Sequence, residues 1–140
     1  RFNNDDDLKI FNLLKPGLTL KNPENKEALK LVKYDTSTFG DKYFKLSKDS
    51  PSRTIVAHLE NDNNGYIHYG NIPRGISPRE AARIQSFPDW YFFEGGIGKQ
   101  YKQIGNAVPP LIGRLFGEIF NIIDKNGLEG LLNLNSKKVV

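Results

Sequence analysis

The sequence predicts an α+β fold, a set of short helices carrying one small β-hairpin or sheet. Near both ends of the chain, apolar residues recur at three- and four-residue spacing, the period of a helix. Between Tyr43 and Tyr69 the period drops to two and β-branched residues collect. Ser77-Pro78-Arg79-Glu80 then supplies a complete start signal for a further helix.

The first helix is expected where Leu8, Phe11 and Leu14 recur behind Asp5-Asp6-Asp7, since acidic residues suit the positive end of a helix. Lys15-Pro16-Gly17 ends it. Asn22-Pro23-Glu24 is a second start, with Asn as N-cap and Pro at the first helical position, and Ala28, Leu29 and Val32 form its apolar stripe. The stretch from Tyr34 to Asp41 reads as a loop. Tyr43 to Leu46 alternates, and Lys48-Asp49-Ser50-Pro51-Ser52 is a turn cluster. Arg53 to Leu59 reads as a strand, Glu60 to Gly65 as a polar connection, and Tyr66 to Tyr69 as the return strand. That hairpin puts His58 and His68 on neighbouring strands, as sheet histidines rather than metal ligands.

Ser77 opens the next helix through a capping box with Glu80, and Pro78 suits its first turn. Small residues Ala81 and Ala82 let it sit close against a neighbour. The helix stops before Phe87-Pro88, because the residue ahead of a proline avoids the helical region. Asp89 to Phe93 is an aromatic stretch expected to anchor the core, and Glu94 to Gly98 a flexible loop. A glycine-led turn, Gln103 to Pro110, launches the last helix, whose stripe is Val108, Ile112, Leu115, Phe116, Ile119, Phe120 and Ile123. Lys125-Asn126-Gly127 closes it, and residues 128–140 form a weakly apolar tail.

Composition bounds the chemistry. A hydrophobic fraction of 38% is low for a self-sufficient globule. The net charge of +4 suits a nucleic-acid partner and equally an ordinary basic surface. With no cysteine, the chain carries no disulfide, thiolate metal site or cysteine nucleophile of its own. No apolar run approaches the roughly 20 residues of a membrane span, and no signal peptide is visible. The Gly105-Asn106-Ala107 turn ahead of a helix offers backbone amides to a polar ligand, or it is a plain structural turn. It lacks the P-loop lysine and the dinucleotide glycine spacing. Arg53, Arg74, Arg79 and Arg83 are either phosphate contacts or carboxylate-paired surface residues. No residues are read as catalytic or metal-ligating.

RGISPREAARIQSFPDWYFF followed by QYKQIGNAVPPLIGRLF resembles the last two sequence motifs, usually called IX and X, of cytosine-C5 DNA methyltransferases of the bacterial modification type. The segment from Asp41 to Asn71 looks like the family's lead-in from the target-recognition region, and the resemblance extends to about Phe120. It implies that the last helix packs, in the full enzyme, on a Rossmann-like S-adenosylmethionine-dependent domain. Asn106, Ala107 and Val108 would lie against S-adenosylmethionine, with Gly105 allowing the turn. Ser52, Arg53 and Thr54 are the implied DNA-facing residues, while Arg74, Glu80 and Arg83 would mainly scaffold, with some phosphate contact open to the two arginines.

The family's reaction requires a cysteine thiolate that attacks a flipped-out cytosine, a glutamate near N3 and a glycine-rich cofactor loop. This chain has no cysteine and no Glu-Asn-Val motif. The expectation is therefore a C-terminal portion, inactive alone, of a cytoplasmic, nucleoid-associated bacterial enzyme of a restriction-modification system. Its start at Arg1 rather than Met favours an excised piece over a split subunit. Residues 1–73 would be part of the target-recognition region, 74–127 the two motifs, and 128–140 a tail. Expected partners are double-stranded DNA and the N-terminal catalytic part or a separate catalytic subunit, with a homodimer through the exposed last helix as a further option. A non-catalytic DNA-binding module and a structural subunit of a split methyltransferase stand as alternatives.

Overall fold

A computed structural model describes residues 3–33, 35–36, 42–59 and 65–129. The described chain is mostly helical. Helix α1 spans Asp5–Leu13, and the Asn4 side chain accepts the Asp7 amide to cap it. A 3-10 turn at Pro23–Asn25, capped by Asn22, runs into α2, Lys26–Lys30. Helix α3 is Pro78–Ile84, α4 is Ile97–Asn106, and α5 is Pro110–Asn126, closed by Gly127 at φ 64°.

The expected hairpin and sheet are absent: among the described residues there is no strand, only single bridges. Phe44, Lys45 and Ile67 join the chain's middle through Thr19↔Phe44, Lys45↔Ile67 and Ile67↔Gly75. The return segment at Tyr66–His68 thus pairs with residues 44–46 on one side and 74–76 on the other, not with residues 53–59. Backbone accounting explains the difference. The Thr54 carbonyl accepts the Tyr66 hydroxyl at 2.6 Å, and the Val56 carbonyl accepts the Leu59 amide in a turn. The Gly70 amide goes to the His68 ring at 2.9 Å, and Pro51 and Pro73 have no amide to give. His58 is exposed in the turn at 57–59, away from the expected place beside His68. Residues 60–64, where the connection was expected, lie outside the described residues, as do most of the 34–41 loop and residues 130–140 of the tail.

Two apolar clusters hold the fold. One gathers Ile10, Phe11, Leu14, Leu20, Ala28, Tyr43 and Ile67 around α1 and α2. The other gathers Leu46, Leu59, Tyr66 and Ile76 with Ala81, Ala82, Tyr101 and Ile104 of the packed pair α3 and α4. The alternation at Tyr43 to Leu46 is real without a strand. Tyr43 lies in the first cluster and Lys45 reaches the Phe11 carbonyl, whereas Phe44 and Leu46 belong to the second. Burial pushes the Lys45 ammonium pKa down. Asn25, also buried, accepts the Lys15 amide and donates to the Thr19 carbonyl, locking α2 onto the end of α1.

Candidate functional site

The end of α4 and the start of α5 form an exposed corner. Helix α4 begins behind Gly95 (φ 83°) and Gly96, where a flexible loop was expected. It buries Tyr101 and Ile104 three residues apart, and the Tyr101 hydroxyl donates to the Ile76 carbonyl. Gly105 follows, still inside the helix. A Cβ there would fall 2.6 Å from the Val56 carbonyl oxygen and 2.9 Å from that of Ala57. Gly105 therefore serves close approach of the 56–57 backbone, not the turn. The turn itself is made by Ala107 (φ −80°, ψ 145°) and Pro109 (φ −54°, ψ 130°), which leave the helix in extended conformation before Pro110 starts α5.

Asn106 and Val108 are exposed at this corner, Val108 by 64%, and Ala107 is half-buried between them. The Asn106 amide donates to the Lys102 carbonyl at 2.9 Å, which fixes its side chain along α4. The corner thus presents a side-chain amide and an apolar valine on a backbone buttressed at Gly105. On α5 no side chain is buried: Leu111, Leu115, Phe116 and Phe120 are 64%, 51%, 52% and 66% exposed.

The DNA-facing candidates do not form one patch. Ser52 and Arg83 line a single open cleft of about 380 Å³ with Lys48, His68, Tyr69 and Glu80. Arg53 lies over the Phe44 ring at 5.2 Å, and Thr54 is exposed. Arg74 is committed to Glu80, which accepts both guanidinium nitrogens at 2.7 and 2.8 Å. Glu80 also takes the Ser77 amide, closing the capping box, and His68 stands 3.6 Å away. The Arg74 hydrogen bonds, aided by those from Ser77, hold the Glu80 carboxyl down at about 2 against the opposing effect of its partial burial. Arg83 makes a two-point pair with Asp89 at the surface. Arg79 donates to the Tyr91 carbonyl and stands over Phe92.

The aromatic stretch is an anchor only in part. Phe87 and Phe93 pack on the core, while Trp90 and Phe92 are 74% and 80% exposed. Two residues that sequence reasoning missed connect α3 to the corner. The buried Gln85 amide donates to the Ile104 carbonyl at 3.1 Å, and the Ser86 hydroxyl accepts the Leu111 amide at 3.1 Å. The signal was a serine just past a helix end, where glycine is the usual residue. Among the described residues, no helix is long and apolar enough to cross a membrane, and no group of three or more His, Asp or Glu could hold a metal ion.

The family model described as C-5 cytosine-specific DNA methylase matches residues 11–121. M.OihORF3336P of Oceanobacillus iheyensis is 48% identical over 107 residues, covering 74% of this chain and 23% of the relative. Two type II methyltransferases are similar: M.AgeI of Thalassovita gelatinovora, 50% identical over 88 residues (63% of this chain, 20% of the relative), and M.Bpa9945I of Bacillus paralicheniformis, 43% identical over 97 residues (69% and 22%). The chain spans about a quarter or less of the length of these curated relatives. No solved structure matches it significantly. The match to the family model covers well over half of the chain, and the chain belongs to the C-5 cytosine-specific DNA methylase family.

Proposed function

We propose that this chain is the C-terminal portion of a type II DNA (cytosine-5)-methyltransferase of a bacterial restriction-modification system. It contributes DNA target recognition and one wall of the S-adenosylmethionine pocket. The observation that carries the reading is the corner at Asn106–Val108, which is exposed yet buttressed from behind by Gly105 against residues 56–57. It opens directly onto an α5 that, among the described residues, leaves Leu111, Leu115, Phe116 and Phe120 of its apolar stripe exposed.

In this reading the stripe docks on the catalytic part of the enzyme, whether the same polypeptide or a separate subunit. Apolar surface on this scale marks an interaction site. The docked corner presents the Asn106 amide and the Val108 side chain to the cofactor, and Ala107 supplies backbone. S-adenosylmethionine, when bound, supplies an activated methyl group. The nucleophilic cysteine comes from outside these 140 residues, which contain none, so the chain alone transfers no methyl group. Duplex DNA meets the cleft of Ser52, Lys48 and Arg83 and the adjoining residues Arg53 and Thr54, while Arg74 holds the frame through Glu80.

The test is Asn106→Ala in the complete enzyme, read as cofactor affinity by calorimetry. The expected outcome is a dissociation constant for S-adenosylmethionine raised by roughly five- to twentyfold, the loss of one side-chain hydrogen-bonding group from a binding site. Unchanged affinity removes the corner from the cofactor site.

A further inference from the structure

We propose that Gln85 and Ser86 are positioning residues for the cofactor corner, tying the helix that supports target recognition to the Asn106–Pro110 turn. The inference rests on the reading of that turn as a cofactor wall and extends it to residues on a different element.

The geometry at the end of α3 carries it. The Ser86 amide donates to the Arg83 carbonyl and the Phe87 amide to the Ala82 carbonyl, both at 2.9 Å. This is the double hydrogen bond that closes helices through one left-handed residue. Glycine is favoured there because a side chain adds steric cost. Here the position holds Ser86 at φ 63°, the sole non-glycine residue with positive φ among the described residues. Closing α3 does not need a hydroxyl. What the hydroxyl reaches is α5: Ser86 Oγ accepts the Leu111 amide across 25 residues of sequence. Leu111 lies in the first turn, where amides have no partner within the helix, and the capping position is Pro109, whose side chain cannot accept. Ser86 thus caps α5 from the end of α3.

Gln85 acts on the other side of the same turn. It is buried, and its Nε2 lies 3.1 Å from the Ile104 carbonyl and 3.5 Å from the Ala107 carbonyl. These oxygens flank Asn106. One side chain therefore holds the exit of α4 and the next holds the entry of α5. Adjacent residues of α3's terminus set both edges of the segment that carries Asn106, Ala107 and Val108.

Ser86→Gly separates this role from plain helix closure. Glycine relieves the left-handed backbone and removes the hydroxymethyl group, and with it the acceptor for the Leu111 amide. In the complete enzyme, the expected result is a thermal midpoint no lower than wild type and a KM for S-adenosylmethionine raised by roughly five- to tenfold, the scale of one hydrogen bond. The KM for DNA and the rate at saturating cofactor stay within about twofold, inside the effect of a single weak contact. Gln85→Met, which keeps the volume and removes the donor, is expected to shift the same constant in the same direction. A cofactor KM that stays at the wild-type value in both variants while Asn106→Ala raises it overturns the inference and leaves the cofactor wall standing. An equal rise in both KM values means general loosening and also overturns it. If Asn106→Ala has no effect, the wall reading fails and the positioning role falls with it.

Discussion

At the scale of single residues, two positions carry consequences that their identity alone would not suggest. Glu80 is held at about 2 by Arg74 and Ser77 against an ordinary 4.5. A carboxylate whose folded pKa lies below its unfolded one adds stability above the unfolded value and loses it as pH falls through the folded one. Its contribution is therefore full above about pH 4.5 and gone near pH 2. Because Arg74 is 39% exposed, solvent screening reduces the pair to about 1 kcal/mol. Glu80→Gln is expected to lower stability by that amount at pH 7, with the difference narrowing in melts below pH 4.5 and vanishing near pH 2. A difference that persists undiminished at pH 2 would show that charge is not the cause. Gly105 is the second case. Since the atoms facing a new Cβ are backbone oxygens of Val56 and Ala57, Gly105→Ala forces one segment off the other and is expected to cost about 1–3 kcal/mol in urea unfolding. An unchanged midpoint would mean that residues 56–57 do not press on α4. The sequence marked Gly105 as special but for a turn, because a close approach between segments nearly 50 positions apart has no local signature.

At the scale of elements, every helix but α4 was legible, and the expected strands do not form among the described residues. Helices α1 and α3 and the turn leading into α2 announce themselves by side chains that cap their first amides, Asn4, Ser77 and Asn22, and such capping is local chemistry. Helix α4 was missed because its start, Gly96, offers no capping side chain and its glycines imitate a loop. The β-branched run at 53–59 misled because strand propensity reports a fit to a half-buried surface, not a partner. Here the surface is α4, the Tyr66 hydroxyl takes the Thr54 carbonyl, and no ladder forms. Helix α5 has the opposite problem, a clear stripe most of which is exposed among the described residues. Leu115→Asp combined with Phe120→Asp should change the unfolding free energy of this chain by no more than about 0.5 kcal/mol, as exposed substitutions do. The same pair should abolish any methyl transfer that wild-type chain restores to a separately produced catalytic part. Full restoration by the double variant would rule out this stripe as the docking face.

At the scale of the whole molecule, family membership could be read from the motifs, but the arrangement of the pieces could not. Three of the candidate DNA residues are consecutive in sequence, Ser52 to Thr54, yet Arg74 turns to Glu80, Arg83 to Asp89, and Ser52 shares a cleft with the distant Arg83. Which carboxylate an arginine chooses depends on the fold around it, and residue types do not encode that choice. The fold itself rests on a thin seam. Tyr66 and Ile67 are consecutive, yet one lies in the α3–α4 cluster and the other in the α1–α2 cluster. Neighbouring residues of an extended segment point to opposite sides, so the two clusters share a partition only one residue thick. A slip of a single position would exchange an aromatic phenol for an aliphatic side chain in both interiors at once. A core substitution that shifts the 66–67 segment in one cluster is therefore felt in the other, although the two share no residue.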